Sequence, residues 1–432
     1  MLLSPELRQA LARVTPAMAD SATLPPACYT DPAVHDADCA MLRASWIGIG
    51  RADRWSKPGD YTAMTLAGVP VIVVRAKDGS LKAHANTCRH RGLQLAEGEG
   101  NVPRFTCPFH GWTYGLDGQL RGATRMGHAC DFETGAYGLV GFRTAERGGF
   151  AFVCMDESVA DIDTWLGNFD EHHAPWPLET LVTSHHRTFE VACNWKLFLE
   201  VFNEWYHLRY VHGATFGNIY QEPDAPDAAT GATFSQFGIT QGTGGLKESE
   251  QDAALPVMPG LAGRNRQGVR YTWVFPTITF ATGVDAMWAY DAQPIAPDRC
   301  RVTMWVAFPP ETIAAAGFAE KAQRYYVRMD EALDEDIAML ERQQRGMTSP
   351  FARQGRWSEL EPGAASFAAW YAERLAEAQR VLHDDAVSIF AMDAPTVFAF
   401  GDDIEGLRAN PPYSDTVFWY ELTRGQCQSK SA

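Results

Sequence analysis

The residues of this chain best suited to chemistry fall in two stretches. Between Cys88 and His110 lie two mixed pairs, Cys88 with His90 and Cys107 with His110, in the pattern C-x-H-x16-C-x2-H. Thiolate and imidazole are soft and borderline donors, suited to zinc or to iron–sulfur. Each pair reads as a short loop, and two facing loops could present four ligands. A glycine follows each histidine (Gly92 and Gly111), which permits a tight turn and close backbone approach. Backbone N–H groups in such loops can point at sulfide and stabilise a reduced cluster. Zinc fingers group Cys with Cys and His with His, with a helix between. Here the pairs are mixed and the surroundings are strand-like, which argues against a zinc finger.

The second stretch is Asn194–Gly213, N-W-K-L-F-L-E-V-F-N-E-W-Y-H-L-R-Y-V-H-G. Its pattern predicts an amphipathic helix carrying Glu204, His207 and His212. Glu204 and His207 are three residues apart and would share a helix face. His212 would stand roughly 140° round from His207 and about 7.5 Å further along the axis. Imidazole nitrogens sit only about 2 Å from a bound metal. A regular helix therefore cannot bring both histidines to one ion, and the chain must bend, bulge or leave the helix between Leu208 and Val211. Without further evidence, such a pair reads as two ordinary histidines on an aromatic-rich helix. A later acidic run, Asp334–Gly346, likewise reads by itself as a solvated helix face.

These residues need supports. From about Arg43 the sequence turns to short strands, Trp46–Gly50, Val69–Arg75, Leu81–His84 and Phe150–Met155, separated by Gly, Pro and Asp turns. Residues 41–156 are predicted as a small, mostly antiparallel β domain. Residues 1–40 form a helical extension that begins with a helix at Pro5–Val14 and continues as Pro-containing coil. Residues 157–432 form a second domain. Its helical texture at Asp161–Trp176 precedes a strand at Arg187–Ala192, which leads into the 194–212 helix. Glu222–Thr230 and Gln241–Gly245 are loops by composition. Strands are expected at Ala232–Ile239, Val269–Phe275, Thr277–Thr282, Met287–Gln293 and Arg301–Phe308, and helices at Glu311–Arg345 and Ala364–His383. Strand runs with a few long helices point to an α+β class.

Composition sets limits on function. At 432 residues the chain is long enough for two cored domains. A net charge of -16 argues against a nucleic-acid binder. No apolar run reaches the length of a membrane span, and the amphipathic N-terminus lacks a signal-peptide core, so a cytoplasmic location is expected. Nine cysteines are too sparse for a disulfide framework. Apart from Cys88 and Cys107, the cysteines at 28, 39, 130, 154, 193, 300 and 427 are expected to be buried free thiols. No G-x-G-x-x-G follows a strand, so the chain carries no dinucleotide-binding fingerprint.

The stretch C-P-F-H-G-W-T-Y-G-L-D-G, Cys107–Gly118, closely resembles the Rieske iron–sulfur motif in spacing and in its H-G-W-x-Y-x2-D-G continuation. The pattern N-W-K-x3-E-x-F-x-E-x-Y-H-x4-H is similar to the mononuclear iron segment of Rieske non-heme iron oxygenase α subunits, the aromatic-ring-hydroxylating oxygenase family. The resemblance implies a Rieske domain plus a helix-grip catalytic domain, an antiparallel sheet with long helices. It implies a [2Fe–2S] cluster with Cys88 and Cys107 on one iron and His90 and His110 on the other. It implies a mononuclear Fe(II) held by His207, His212 and a later aspartate as a facial triad. The run E-D-x4-E-x2-Q-x-G resembles the family's carboxylate-ligand stretch and puts that ligand at Asp336, with Asp330 and Asp334 as alternatives on the same helix.

The family further implies a reductase or ferredoxin donor. It implies a homotrimer, with or without a β subunit, in which the cluster of one subunit feeds the iron of the next. Glu204 sits where the family places a bridging acid, and a carboxylate can join a cluster histidine to an iron histidine. The expected activity is O2-dependent hydroxylation of a small organic substrate, with an aromatic compound slightly favoured. The alternative is monooxygenation or N-demethylation of a quaternary ammonium or N-methyl compound. Glu at the bridge is similar to that branch, and Trp205, Tyr206, Tyr210 and Phe216 could cage a cation. Val201, Trp205 and Leu208 depart from its pattern, where Asn, Cys and Cys stand. A Rieske electron carrier without oxygenase chemistry is the alternative from another class. It would need no triad and would not explain a chain of this length.

Overall fold

The computed structural model describes residues 3–385 together with the strand pair Ile404–Glu405 and Thr423–Arg424. The expected second domain therefore runs, toward residue 432, past the described residues, and Cys427 lies outside them. Three helices open the chain: α1 (Pro5–Leu11), α2 (Ala27–Thr30) and α3 (Pro32–Arg43). The coil expected after the first helix is present through Leu24, Pro25 and Pro26, but the chain turns helical from Ala27. The signal for α3 was Asp31-Pro32: Pro32 fits the first helical position, and the Asp31 carboxylate caps the Ala33 N–H at 2.8 Å.

Ten strands follow: β1 (Ile47–Arg51), β2 (Asp60–Leu66), β3 (Val69–Arg75), β4 (Leu81–Ala85), β5 (Glu99–Asn101), β6 (Phe105–Thr106), β7 (Thr113–Tyr114), β8 (Leu120–Gly122), β9 (Gly141–Arg147) and β10 (Phe150–Cys154). Seven form an antiparallel sheet in the order β1-β10-β9-β4-β3-β2-β5, and β6-β7-β8 form a separate small sheet. Strands β2 and β9 escape sequence reading because Thr, Tyr, Arg and Glu break the apolar alternation on their half-exposed faces.

Short helices α4 (Ile162–Leu166) and α5 (Phe169–His173) lead to β11 (Val182–Val191), α6 (Trp195–Phe202) and α7 (Leu208–Val211). Then come β12 (Thr233–Ile239), β13 (Gly268–Val274), β14 (Ile278–Thr282), β15 (Met287–Ala296) and β16 (Arg299–Phe308). With β11 they make a six-stranded antiparallel sheet, β11-β16-β15-β14-β13-β12. Helices α8 (Pro310–Ile313), α9 (Phe318–Met347) and α10 (Pro362–Asp385) close the described chain. The helix expected over Glu311–Arg345 is broken before α9, where Gly317 takes φ +80°, a conformation open to glycine.

The two sheets meet through bare backbone. A Cβ on Gly48 would lie 2.4 Å from Ile278 side-chain atoms, and one on Gly50 would lie 2.3 Å from the Trp305 ring. The Gly48 N–H donates to Thr277 Oγ1 at 3.1 Å. The N-terminal helices are tied down by charge in the core. Asp38 on α3 and Lys196 on α6, both fully buried, form an ion pair. Tyr371 on α10 and the Trp195 Nε1–H complete the Asp38 carboxylate at 2.5 and 3.0 Å, which compensates the desolvation of the pair.

One turn on from Lys196, the Tyr29 hydroxyl donates to both Glu200 oxygens at 2.9 and 3.1 Å. Burial outweighs that bond and the Lys196 charge and pushes the Glu200 carboxyl up to about 8. The folded state thus holds a proton there that the unfolded state, with a Glu pKa of about 4.3, releases early. Glu200 therefore contributes stability at low pH that is lost as pH rises through about 8. Glu200→Gln should flatten the fall in melting temperature between pH 5 and pH 8 compared with wild type; parallel melting curves for the two proteins would show that Glu200 does not carry this dependence.

Candidate active site

The stretch predicted as one helix is two. Helix α6 begins with Asn194, whose side chain caps the Lys196 N–H at 3.0 Å, and buries Trp195, Leu197, Phe198 and Leu199. Each such side chain stabilises the fold by about 1.5–3 kcal/mol. The helix ends at Asn203, whose amide donates to the Leu199 carbonyl at 2.7 Å and accepts from Thr279 at 2.9 Å. Glu204 stands outside the helix and starts the next turn, its Oε2 accepting from the Tyr206 and His207 N–H groups. Helix α7 is a single turn, with His207 preceding it and His212 following it.

The chain is helical through Leu208–Val211, where a break was expected, and the interruption falls instead before His207. His207 and His212 are the two caps of that single turn, and their side chains reach toward each other across it. The His207 and His212 rings lie 5.1 Å apart at 78°. Asp336 on α9 completes the group, and one ligand-type atom from each residue lies within 4.8 Å of the others. Asp336 Oδ1 is 3.0 Å from His212 Nε2 and 3.7 Å from His207 Nε2. Asp330 instead pairs with Arg187, and Asp334 is exposed.

Both imidazoles give their other nitrogen to a carboxylate. His207 Nδ1 donates to Glu204 Oε1 at 2.5 Å, and His212 Nδ1 donates to Glu335 Oε2 at 2.5 Å. Thr215 steadies Glu335 at 3.2 Å. With the protons on Nδ1, each Nε2 presents a lone pair, and so does Asp336 Oδ1, a buried acceptor without a donor. Three lone pairs aimed at one point fit a cation, and the two-imidazole, one-carboxylate set suits non-heme iron. Burial by itself would lower the His207 pKa, but Glu204 and then Asp336 raise it overall, a field that favours positive charge. Glu335 was missed in the sequence because it reads as one more acid in the run Asp334–Asp336.

The other four ligand candidates sit on two loops of the same form. Gly92 N–H bonds to the Cys88 carbonyl at 2.8 Å, and Gly111 N–H bonds to that of Cys107 at 3.0 Å, with φ +80° and +74° at the glycines. The cysteines are buried, whereas His90 is half-buried and His110 is exposed. The histidine rings lie 4.7 Å apart. Cys88 Sγ is 3.4 Å from the Tyr114 hydroxyl, and Leu95, Phe105, Trp112, Leu116 and Leu120 pack a separate apolar cluster beneath both loops. This arrangement fits a cluster whose thiolate side is buried and whose imidazole side faces outward. Of the remaining described cysteines, Cys28, Cys154, Cys193 and Cys300 are buried free thiols as expected, but Cys39 is only half-buried and Cys130 is exposed.

A compact cavity of about 40 Å³ opens on the triad. Phe202, Trp205, Phe216, Tyr271, Trp288, Tyr290, Arg328 and Ala332 wall it. Trp205 and Phe216 are thus where a cage would need them, whereas Tyr206 and Tyr210 are 50% and 84% exposed and face away from it.

The Rieske [2Fe-2S] domain family matches residues 45–133, and the catalytic domain of the ring hydroxylating alpha subunit family matches residues 178–377. The chain belongs to the Rieske oxygenase α subunits, proteins that carry a [2Fe–2S] cluster and a mononuclear iron. It is 26% identical to the glycine betaine monooxygenase oxygenase subunit of Pseudomonas aeruginosa, over 85% of this chain and 92% of that one. It is 27% identical to the chloroplastic choline monooxygenase of Spinacia oleracea, over 82% and 79%. Naphthalene 1,2-dioxygenase from Rhodococcus sp. bound to indole shares the fold, with a TM-score of 0.72 at 19% identity over 86% and 98% of the two chains.

The purified protein should contain about three irons per chain. Asp336→Ala should lower that to about two while keeping the EPR signal of a reduced cluster; loss of the cluster signal with the mononuclear iron retained would contradict the assignment.

Proposed function

We propose that the chain is the oxygenase component of a monooxygenase or N-demethylase acting on a small quaternary ammonium or N-methyl compound. The observation that carries this reading is the aromatic-walled cavity against the triad. Rings of Phe202, Trp205, Tyr271, Trp288 and Tyr290 surround it, with Phe216 stacked between Arg328 and His212, and ring faces attract a desolvated cation. The sequence relatives act on glycine betaine and on choline, so the quaternary ammonium alternative replaces the slightly favoured aromatic substrate. The fold does not decide the point, because a naphthalene dioxygenase shares it.

In this reading His207, His212 and Asp336 hold Fe(II), and Cys88, His90, Cys107 and His110 hold the cluster. Iron so bound would supply oxygen activation. The protein's own groups do the rest. Glu204 and Glu335 fix the imidazole tautomers and orientations through Nδ1. The aromatic walls exclude water and hold the ammonium group.

Among the described residues no hydrogen bond, ion pair or ring contact joins His90 or His110 to Glu204 or His207. The bridge across Glu204 therefore needs a cluster histidine from a second subunit, which accords with a head-to-tail trimer. The Glu204 side chain is 11% exposed, which leaves an edge for that contact. Glu361 stands by: burial, with the Glu204 charge behind it, raises its carboxyl pKa. The outward face of the cluster loops, with Phe109 56% exposed beside His110, is where a reductase or ferredoxin would dock. An electron carrier without oxygenase chemistry would have no use for the triad or its cavity.

Turnover with a generic reductase, NADH and isotopic dioxygen should place one labelled atom in product or released formaldehyde for a trimethylammonium substrate. Two labelled atoms in a cis-diol from an aromatic substrate would reverse the proposal. Glu204→Gln should retain both metals and lose coupled turnover by about 10–100-fold; a variant turning over like wild type would remove Glu204 from the electron path.

A further inference from the structure

Arg328 is 3% exposed and lines the cavity that holds the triad. Among the described residues no carboxylate lies within ion-pair distance of it. Its Nη1 reaches only the Met329 sulfur at 3.2 Å, its Nη2 reaches the Tyr220 hydroxyl at 3.3 Å, and its Nε–H has no partner. A guanidinium carries five donors, and charges this deeply buried are ordinarily paired. Arg51, equally buried, gives its terminal nitrogens to the carbonyls of Gly148, Leu178 and Leu181 at 2.8–3.0 Å. A second unpaired buried donor, the Trp288 Nε1–H, belongs to a wall residue of the same cavity.

We propose that Arg328 is a substrate-binding residue that receives a carboxylate, so that the substrate is a small zwitterion with an acid at one end and the methylated nitrogen at the other. The nitrogen end rests on the quaternary ammonium reading; the acid end does not. An aromatic box and a guanidinium in one cavity suit a ligand of both signs, whereas a purely cationic ligand would meet repulsion.

The placement supports this. Arg328, Ala332 and Asp336 are four residues apart on one face of α9, about 12 Å from end to end along the axis. The Ala332 methyl leaves the floor between them open. The guanidinium lies 3.7 Å from the Phe216 ring centroid, and that ring stacks on His212 at 4.4 Å. Arg328, Ala332 and all three triad residues line the same cavity, so a ligand anchored at Arg328 extends toward the triad. Relatives at 26% and 27% identity act on glycine betaine, which has a carboxylate, and on choline, which has a hydroxyl. Sequence identity does not choose between them, and the unpaired guanidinium does.

The test is equilibrium binding to anaerobic holoenzyme by calorimetry, with glycine betaine, its methyl ester, choline and an aromatic carboxylate as probes. The acid should bind at least about 10-fold more tightly than its ester or choline. Arg328→Gln should raise the Kd of the acid by about 10–100-fold and leave iron content and the cluster EPR signal unchanged. Arg328→Lys should recover part of the loss, because it keeps the charge but not the fork. Equal affinity of wild type for acid, ester and choline would overturn the proposal without any variant, as would undiminished acid binding by Arg328→Gln. Arg328-dependent binding of the aromatic carboxylate, with no trimethylammonium compound bound, would sustain the acid subsite and remove the ammonium reading.

Discussion

Three lone pairs aimed at one another are the condition on which the rest of the catalytic half depends. His207 Nε2, His212 Nε2 and Asp336 Oδ1 converge, and without a cation between them they repel. The fold holds them there by fixing each from behind. Glu204 and Glu335 take the two Nδ1–H groups. Asn203 stops α6 at the point that frees Glu204 to cap the next turn. Helix α9 is pinned to the start of α6 by Gln344, which accepts from the Asn194 N–H at 2.9 Å and donates to the Tyr29 carbonyl at 2.9 Å. The same helix buries Tyr325, Met329, Leu333 and Leu340, so the Asp336 carboxylate stands on a rigid support.

The cluster loops obey a different constraint. Their thiolates need shelter and their imidazoles need access. Two loops of equal geometry, each closed by a glycine at positive φ, place both cysteines over a small apolar cluster and both histidines toward the outside. The exposed tip is suited to partners, and the largely enclosed triad is suited to excluding water.

The cavity adds a balance of charge. Three carboxylates surround the imidazoles, six aromatic rings wall the space, and one guanidinium closes it. Trp205, one of the departures from the branch pattern, is wedged against Gly238, where a Cβ would lie 2.3 Å from its ring, and donates to Gln236 at 3.0 Å. It serves as core and as wall together, so packing and substrate recognition are not separable at that residue.

By itself the sequence determined the ligand types, their spacing and the α+β class. The C-x-H and C-x2-H pairs, the two histidines and the E-D run are local patterns, and local patterns survive in one dimension. The six-stranded sheet was legible because most of its strands are nearly all apolar; β2 and β9 of the seven-stranded sheet were not, because most of their side chains are only half-buried. Register on α9 separated Asp336 from Asp330 and Asp334 only when the helix was packed, since a run of acids has the same composition on every face. The break after Phe202 depended on an asparagine whose partners, Leu199 and Thr279, lie one turn back and on another strand. Arg328 carried no signal at all, because an arginine in a helix reads as solvated until a core closes over it and supplies no anion. Only the tertiary structure decided which polar groups are left facing one another without partners, because that depends on what long-range packing places around them.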